Sequence, residues 1–141
     1  MGDPLDTTSI LAPLPAVLRA RLLAEAVPLE APPGTVLFRP GELCSLYLLL
    51  LRGTVRVQLV TAEGHAIVLY RVEPGQSCVL TTSCLMAHDA YAAEGVTETA
   101  VRALGLPPAL FDRLITESAE FRRFVFASFG RRLADLMLLL N

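Results

Sequence analysis

Three glycines constrain this chain more than any other feature. Gly34, Gly41 and Gly53 divide the segment from Gly34 to Val57 into short apolar runs, at intervals of 7 and 12 residues. Glycine supplies turn conformations that a side chain obstructs, and such spacing is the rhythm of a meander of short strands. Leu46 to Leu51 is an uninterrupted apolar run of six residues, which reads as a strand buried on both faces. Val55 and Val57 alternate with polar neighbours, as a half-buried strand does. Glu63-Gly64 marks a hairpin turn between Leu59-Val60 and Ile67-Val68-Leu69, and Pro74-Gly75 marks another turn. The predicted strands are 35–38, 46–52, 54–60, 66–72, 91–97 and 99–106. With helices only at the two ends, this order fits a small antiparallel β-roll rather than a parallel α/β fold.

The ends read as follows. Residues 1–12 have no periodicity and form a loose tail. Pro15 suits the first position of a helix, along which Leu14, Leu18, Leu22 and Ala26 make one apolar stripe. Pro28 and the Pro32-Pro33-Gly34 cluster end it. Past Pro107-Pro108, residues 109–115 form a short helix, and Ser118 caps a longer one with Glu120 in its first turn. Within that last helix Phe126, Phe129, Leu133, Leu136 and Leu140 are spaced 3, 4, 3, 4, a seam of two heptads. Phe121 and Val125 lie on a different face, free to pack on the roll. A helix with two apolar faces needs two partners, the second being another copy of the chain; the competing reading is one wide core face.

Composition narrows the function. A length of 141 residues suits one core of its own without metal or disulfide. Apolar content is 53%, high enough to suggest a buried partner surface, yet no run approaches the roughly 20 residues of a membrane helix. The N-terminus lacks a basic stretch followed by an apolar one, and the three cysteines are an odd number, so a reducing, cytoplasmic setting is expected. The net charge of −2 does not favour nucleic acid. All basic residues are arginine, which fits a GC-rich bacterial coding bias. The pairs Arg122/Arg123 and Arg131/Arg132 have Glu117, Glu120 and Asp135 beside them, the pattern of a solvated helix face. Two isolated histidines, His65 and His88, cannot build a cupin-type metal site, and no Ser-His-Asp set, Walker loop or Gly-x-Gly-x-x-Gly occurs. No catalytic residue and no metal ligand set is assigned, and the chain is not expected to be an enzyme.

Gly34, Phe38, Gly41, Glu42, Tyr47, Gly53 and the Val55/Val57 alternation, with Gly75 in register, resemble the opening half of a cyclic-nucleotide-binding domain of the Crp/Fnr type. The resemblance implies a double-stranded β-helix that senses an effector over residues 13–117. It also implies a dimerisation helix over 118–141, and DNA contact only through a helix-turn-helix domain that these residues do not include. Members that bind cyclic nucleotides carry a Gly-Glu-Leu segment after the roll's hairpins and Arg-Ser further on. Helix-start amides and the arginine hold the cyclic phosphate, and the glutamate holds the ribose hydroxyl. Here those positions fall on Thr81 and on Tyr91-Ala92. Two absent charged hydrogen bonds, each worth about 1.5–3 kcal/mol, weaken binding roughly a hundredfold to ten-thousandfold. Arg71 and Arg102 are the nearest other cations, each in a strand whose alternation can turn it outward.

The pocket residues are therefore expected to be Cys78, Thr81, Thr82, Ser83, Cys84 and Tyr91. The hydroxyls of 81–83 can cap a helix start that presents free amides to an anion, or only cap it. A direct disulfide between Cys78 and Cys84 does not suit a helix, whose rise over six residues is roughly 9 Å. Haem-sensing relatives draw an iron ligand from this stretch, which makes Cys78 a possible haem ligand; a buried apolar thiol is the alternative. The iron–sulfur branch is excluded, because no cysteine precedes Cys44. The function expected is effector sensing by a homodimer of a Crp/Fnr-like regulator, with a small-molecule effector that is not a cyclic nucleotide in the usual mode. The alternatives are a haem-based gas or redox sensor and a stand-alone dimerisation module.

Overall fold

A computed structural model describes residues 14–43, 45–74 and 90–138, with the side chain of Leu136 left aside. The elements are α1 (Ala16–Glu25), β1 (Val27–Ala31), β2 (Val36–Phe38), β3 (Tyr47–Arg52), β4 (Val55–Val60), β5 (Ala66–Val72), β6 (Glu94–Thr97), β7 (Val101–Leu106), α2 (Pro108–Glu117) and α3 (Ala119–Leu138). All ladders are antiparallel, in two sheets of order β1-β7-β3 and β2-β6-β4-β5. This is the expected β-roll with helices at both ends. The 1–12 tail and the Pro74-Gly75 turn reach outside the described residues.

The glycine rhythm is realised as turns: Gly34, Gly41, Gly53 and Gly64 all have positive φ. Gly53 carries the tightest requirement. Its φ is +87°, and a Cβ there would stand 2.3 Å from the carbonyl oxygen of Ala100. Only glycine lets β3 turn into β4 against that backbone. At the next turn Thr61 N donates to the His65 carbonyl at 2.8 Å and Gly64 N to the Thr61 carbonyl at 2.9 Å, closing the β4–β5 hairpin at Glu63-Gly64.

One strand was not expected. Pro28 reads as a helix stop, but Val27–Ala31 forms β1, pairing in register with β7 from Val27↔Gly105 to Ala31↔Val101. The strand lies at a sheet edge, where half the N–H groups meet no neighbour and proline is tolerated. Other boundaries move slightly. Pro15 sits one residue ahead of the helix. The 91–97 strand begins only at Glu94, because Tyr91 is drawn to the 41–42 loop by backbone bonds with Gly41 and Glu42, both 2.9 Å.

Two cores share the three-stranded sheet. On one side Tyr47, Leu49, Leu104 and Leu106 meet Leu18 and Leu22 of α1, Leu110, Phe111 and Leu114 of α2, and Phe121 and Val125 of α3. On the other side Leu50, Val101 and Ala103 face Phe38, Val55, Val57 and Val72 of the four-stranded sheet. The 46–51 run is thus covered on both faces, as its unbroken apolarity requires. Ser118 caps α3: its Oγ accepts from Phe121 N at 3.1 Å. An aromatic trio of Tyr47, Phe111 and Phe121, with centroids 4.9 to 6.4 Å apart, locks strand and helices together.

Candidate functional site

The interior of the roll is where a fold of this kind can enclose a ligand, and its described walls are apolar. Leu37, Phe38, Leu48, Leu50, Val55, Val72 and Ala103 surround a void of about 20 Å³ with no polar lining. As bounded by these residues, the space is apolar and smaller than an organic ligand. Of the pocket residues read from the sequence, Cys78, Thr81, Thr82, Ser83 and Cys84 lie outside the described residues. Tyr91 is buried against this interior. Its ring stacks on Phe38 at 4.5 Å, and its hydroxyl accepts from Ser45 N at 3.2 Å. Phe38 in turn presses on Gly95, where a Cβ would come within 2.4 Å of the ring.

The two strand arginines face away from the interior. Val55 and Val72 pair across β4–β5, as do Val57 and Tyr70, and these four belong to the inner cluster; Arg56 and Arg71 pair between them and point to the other face. There Glu98 accepts from Arg71 Nε at 2.7 Å and from Arg56 Nη1 at 3.3 Å. Arg56 Nε also donates to Gln58, whose amide donates to Glu94 at 2.6 Å. Arg102 pairs with Glu30 on β1. Together with the exposed Arg52 it borders a surface recess of about 400 Å³.

The Arg71 hydrogen bond, offset in part by desolvation, holds the Glu98 carboxyl below its usual range, with Arg56 adding to the effect. A depressed folded pKa means that the native state binds fewer protons than the unfolded one. The pair therefore contributes stability above the unfolded carboxylate range, and that stability is lost as pH falls through the folded value. Glu98→Gln should accordingly flatten the acid limb of a melting-temperature profile taken downward from about pH 5, in the usual carboxylate range. If wild type and variant lose stability in parallel there, the pair contributes nothing.

Helix α3 presents a divided surface. Phe121 and Val125 are fully buried against the first core, while Phe126 is 48% and Leu133 41% exposed and Phe129 is half-buried. The seam residues described here thus stand on a face that this chain leaves open; Leu140 and the side chain of Leu136 lie outside the described residues. Met137 and Leu138 add to the open apolar surface.

The reading of Arg131/Arg132 as a wholly solvated pair needs correction. Arg132 is half-buried, its guanidinium lies 5.4 Å from the centroid of Tyr70, and its Nη2 donates to the carbonyl of Arg71. The signal was present in the spacing: Phe121, Val125, Ser128 and Arg132 recur at 4, 3, 4 and so share the roll-facing stripe. Among the described residues no group of three or more His, Cys, Asp or Glu side chains comes together. No described helix is long and apolar enough to cross a membrane.

This architecture is that of a cyclic-nucleotide-binding roll, and the sequence agrees: the family model "Cyclic nucleotide-binding domain" matches residues 28–118. The chain belongs to that family. Its structural neighbours are Crp/Fnr-type transcriptional regulators. The c-di-GMP-responsive global regulator CLP of Xanthomonas campestris superposes with a TM-score of 0.75 at 19% identity, over 88% of this chain and 60% of that one. A proposed Crp/Fnr-family regulator from Eubacterium rectale gives 0.77 at 21% identity, over 93% and 61%. The sensor domain of the transcriptional regulator DNR from Pseudomonas aeruginosa gives 0.73 at 19%, over 92% and 87%. The chain spans about three-fifths of the first two and most of the isolated sensor domain. No curated protein sequence matches it significantly.

Proposed function

We propose that this chain is the effector-sensing part of a cytoplasmic Crp/Fnr-like transcription regulator, that it dimerises through α3, and that its effector is not a cyclic nucleotide bound in the usual mode. The observation that carries the reading is the two-faced α3. One face is buried against the roll, and the other offers Phe126, Phe129 and Leu133 to a second copy. A change in the roll then reaches the dimer axis through a packed helix. DNA contact, in this reading, belongs to a helix-turn-helix domain outside these 141 residues.

The expected ligand chemistry follows from what is missing. Neither the glutamate nor the arginine that grips a cyclic nucleotide has a counterpart at Thr81 and Tyr91, and Arg71 and Arg102 are engaged on outward faces with Glu98 and Glu30. Calorimetric titration with cyclic AMP and cyclic GMP should therefore show no binding in the low micromolar range. Tight binding of either would overturn this part of the reading. A melting-temperature screen against cyclic di-GMP and small anionic metabolites tests the sensor role itself. A true effector at a hundred times its Kd adds about 2.7 kcal/mol, a shift of several degrees. A screen in which nothing moves the transition would favour a dimerisation module without ligand.

A further inference from the structure

The last turns of α3 carry a cation where a helix packed on a sheet ordinarily carries apolar side chains. Along the roll-facing stripe, Phe121 and Val125 are wholly buried, Ser128 is buried, and Arg132 follows at the β5 end. Its Nε is buried and has no hydrogen-bond partner, alone among the buried side-chain nitrogens and oxygens of the described residues. No described carboxylate forms an ion pair with it. Glu98, which serves β5 nearby, is taken by Arg71 and Arg56.

These features ask for the same thing. A guanidinium does not shed its proton at any physiological pH, so it cannot escape burial by becoming neutral. Tyr70 offsets part of the cost with the face of its ring, and the Arg71 carbonyl satisfies one N–H, but neither supplies a negative charge. Among the described residues, a buried donor without an acceptor and a cation without a carboxylate partner coincide in one side chain. An oxyanion supplies both at once, through a charge-assisted hydrogen bond.

We propose that Arg132 is the anion-receiving residue of this chain's effector site, placing the cation on α3 at its junction with β5 instead of on the roll. The class of ligand is a small molecule with a carboxylate or phosphate group. The inference rests on the effector-sensing reading above and adds to it the residue that fixes the ligand's charged end. Because that residue also ties α3 to Tyr70 and Arg71, an arriving anion acts directly on the contact between the roll and its helix.

Inorganic phosphate is the probe. In a nitrogen-15 spectrum the Arg132 Nε–H signal, identified by its loss in Arg132→Lys, should shift saturably with phosphate. The signal of exposed Arg52 should follow only the ionic strength, as matched by sodium chloride. Arg132→Gln should weaken phosphate binding about tenfold to a hundredfold, the loss of one charged hydrogen bond. Arg131→Gln, on the neighbouring outward face, should leave it unchanged. If Arg132→Gln does not fold, Arg132→Lys, which keeps the charge and lacks Nε, should still show weakened binding. An Arg132 signal that stays still, or shifts no differently from Arg52, overturns the proposal. So does an anionic metabolite from the melting screen that binds Arg132→Gln as it binds wild type, although the sensor reading then stands. If phosphate moves Arg132 while no metabolite in the screen shifts the transition, the anion site stands and the sensor reading fails.

Discussion

A Phe129→Glu/Leu133→Glu double variant should elute as a folded monomer, or precipitate, where the wild-type chain should elute as a dimer. Both positions stand on the seam that the chain does not cover itself. In the proposed dimer, each substitution would place a carboxylate against the partner's apolar seam. Burying an unpaired charge in such an interface costs far more than the lost apolar contact. The expected loss is therefore of the dimer as a whole, not a modest weakening. The monomer's own core is untouched, because Phe121 and Val125, not the seam, pack on the roll. Circular dichroism and melting of the dilute variant should resemble those of dilute wild type. Co-elution of wild type and variant as well-folded monomers would return the seam to an ordinary solvent face and remove the dimeric part of the proposed function.

What could be read from the sequence depended on whether the deciding interaction was local. The positive-φ glycines, the Glu63-Gly64 hairpin and the Ser118 cap each act within a few residues, and each appears where the sequence places it. Periodicity separated the buried and the exposed faces of α3 for the same reason: a helix writes its sides into its spacing. Strand β1 shows the opposite case. Pro28 is a strong local stop, and the pairing that makes Val27–Ala31 a strand comes from β7, some 70 residues away along the chain.

Site residues divide along similar lines. Alternation foretold that Arg71 could turn outward, since Tyr70 and Val72 must face the interior. Arg132 was hidden by its company. Beside Arg131 and Asp135 it looks like one more charge on a solvated face, and only continuation of the Phe121–Val125–Ser128 stripe marks it as different. Charge pattern and helical phase gave conflicting answers there, and helical phase was the better guide. Arg132 is half-buried there, held by the Tyr70 ring and the Arg71 carbonyl, which is how a cation can end an otherwise buried stripe.

The aromatic trio should be the point where loss of one side chain does most damage to the fold. Phe111 is 1% exposed and lies between Tyr47 at 4.9 Å and Phe121 at 5.9 Å, so it joins β3, α2 and α3 in one contact. Phe111→Ala removes that ring from a packed core, at a cost of about 3–5 kcal/mol. For a domain of this size that corresponds to a fall in melting temperature of roughly 10–20 °C. The damage should extend to assembly. With Phe111 gone, Phe121 loses its edge-on neighbour and α3 loses part of its seat, so the seam is no longer held in a fixed line for a partner. Phe126→Ala provides the contrast: half-exposed in the monomer, it should weaken the dimer yet leave the melting of the dilute chain within about 1 kcal/mol of wild type. Differential scanning calorimetry at low concentration, paired with light scattering at high concentration, separates the two effects. A Phe111→Ala chain that melts within two or three degrees of wild type would mean that α3 does not seat on the roll through this trio, and the route from roll to dimer axis would have to run elsewhere.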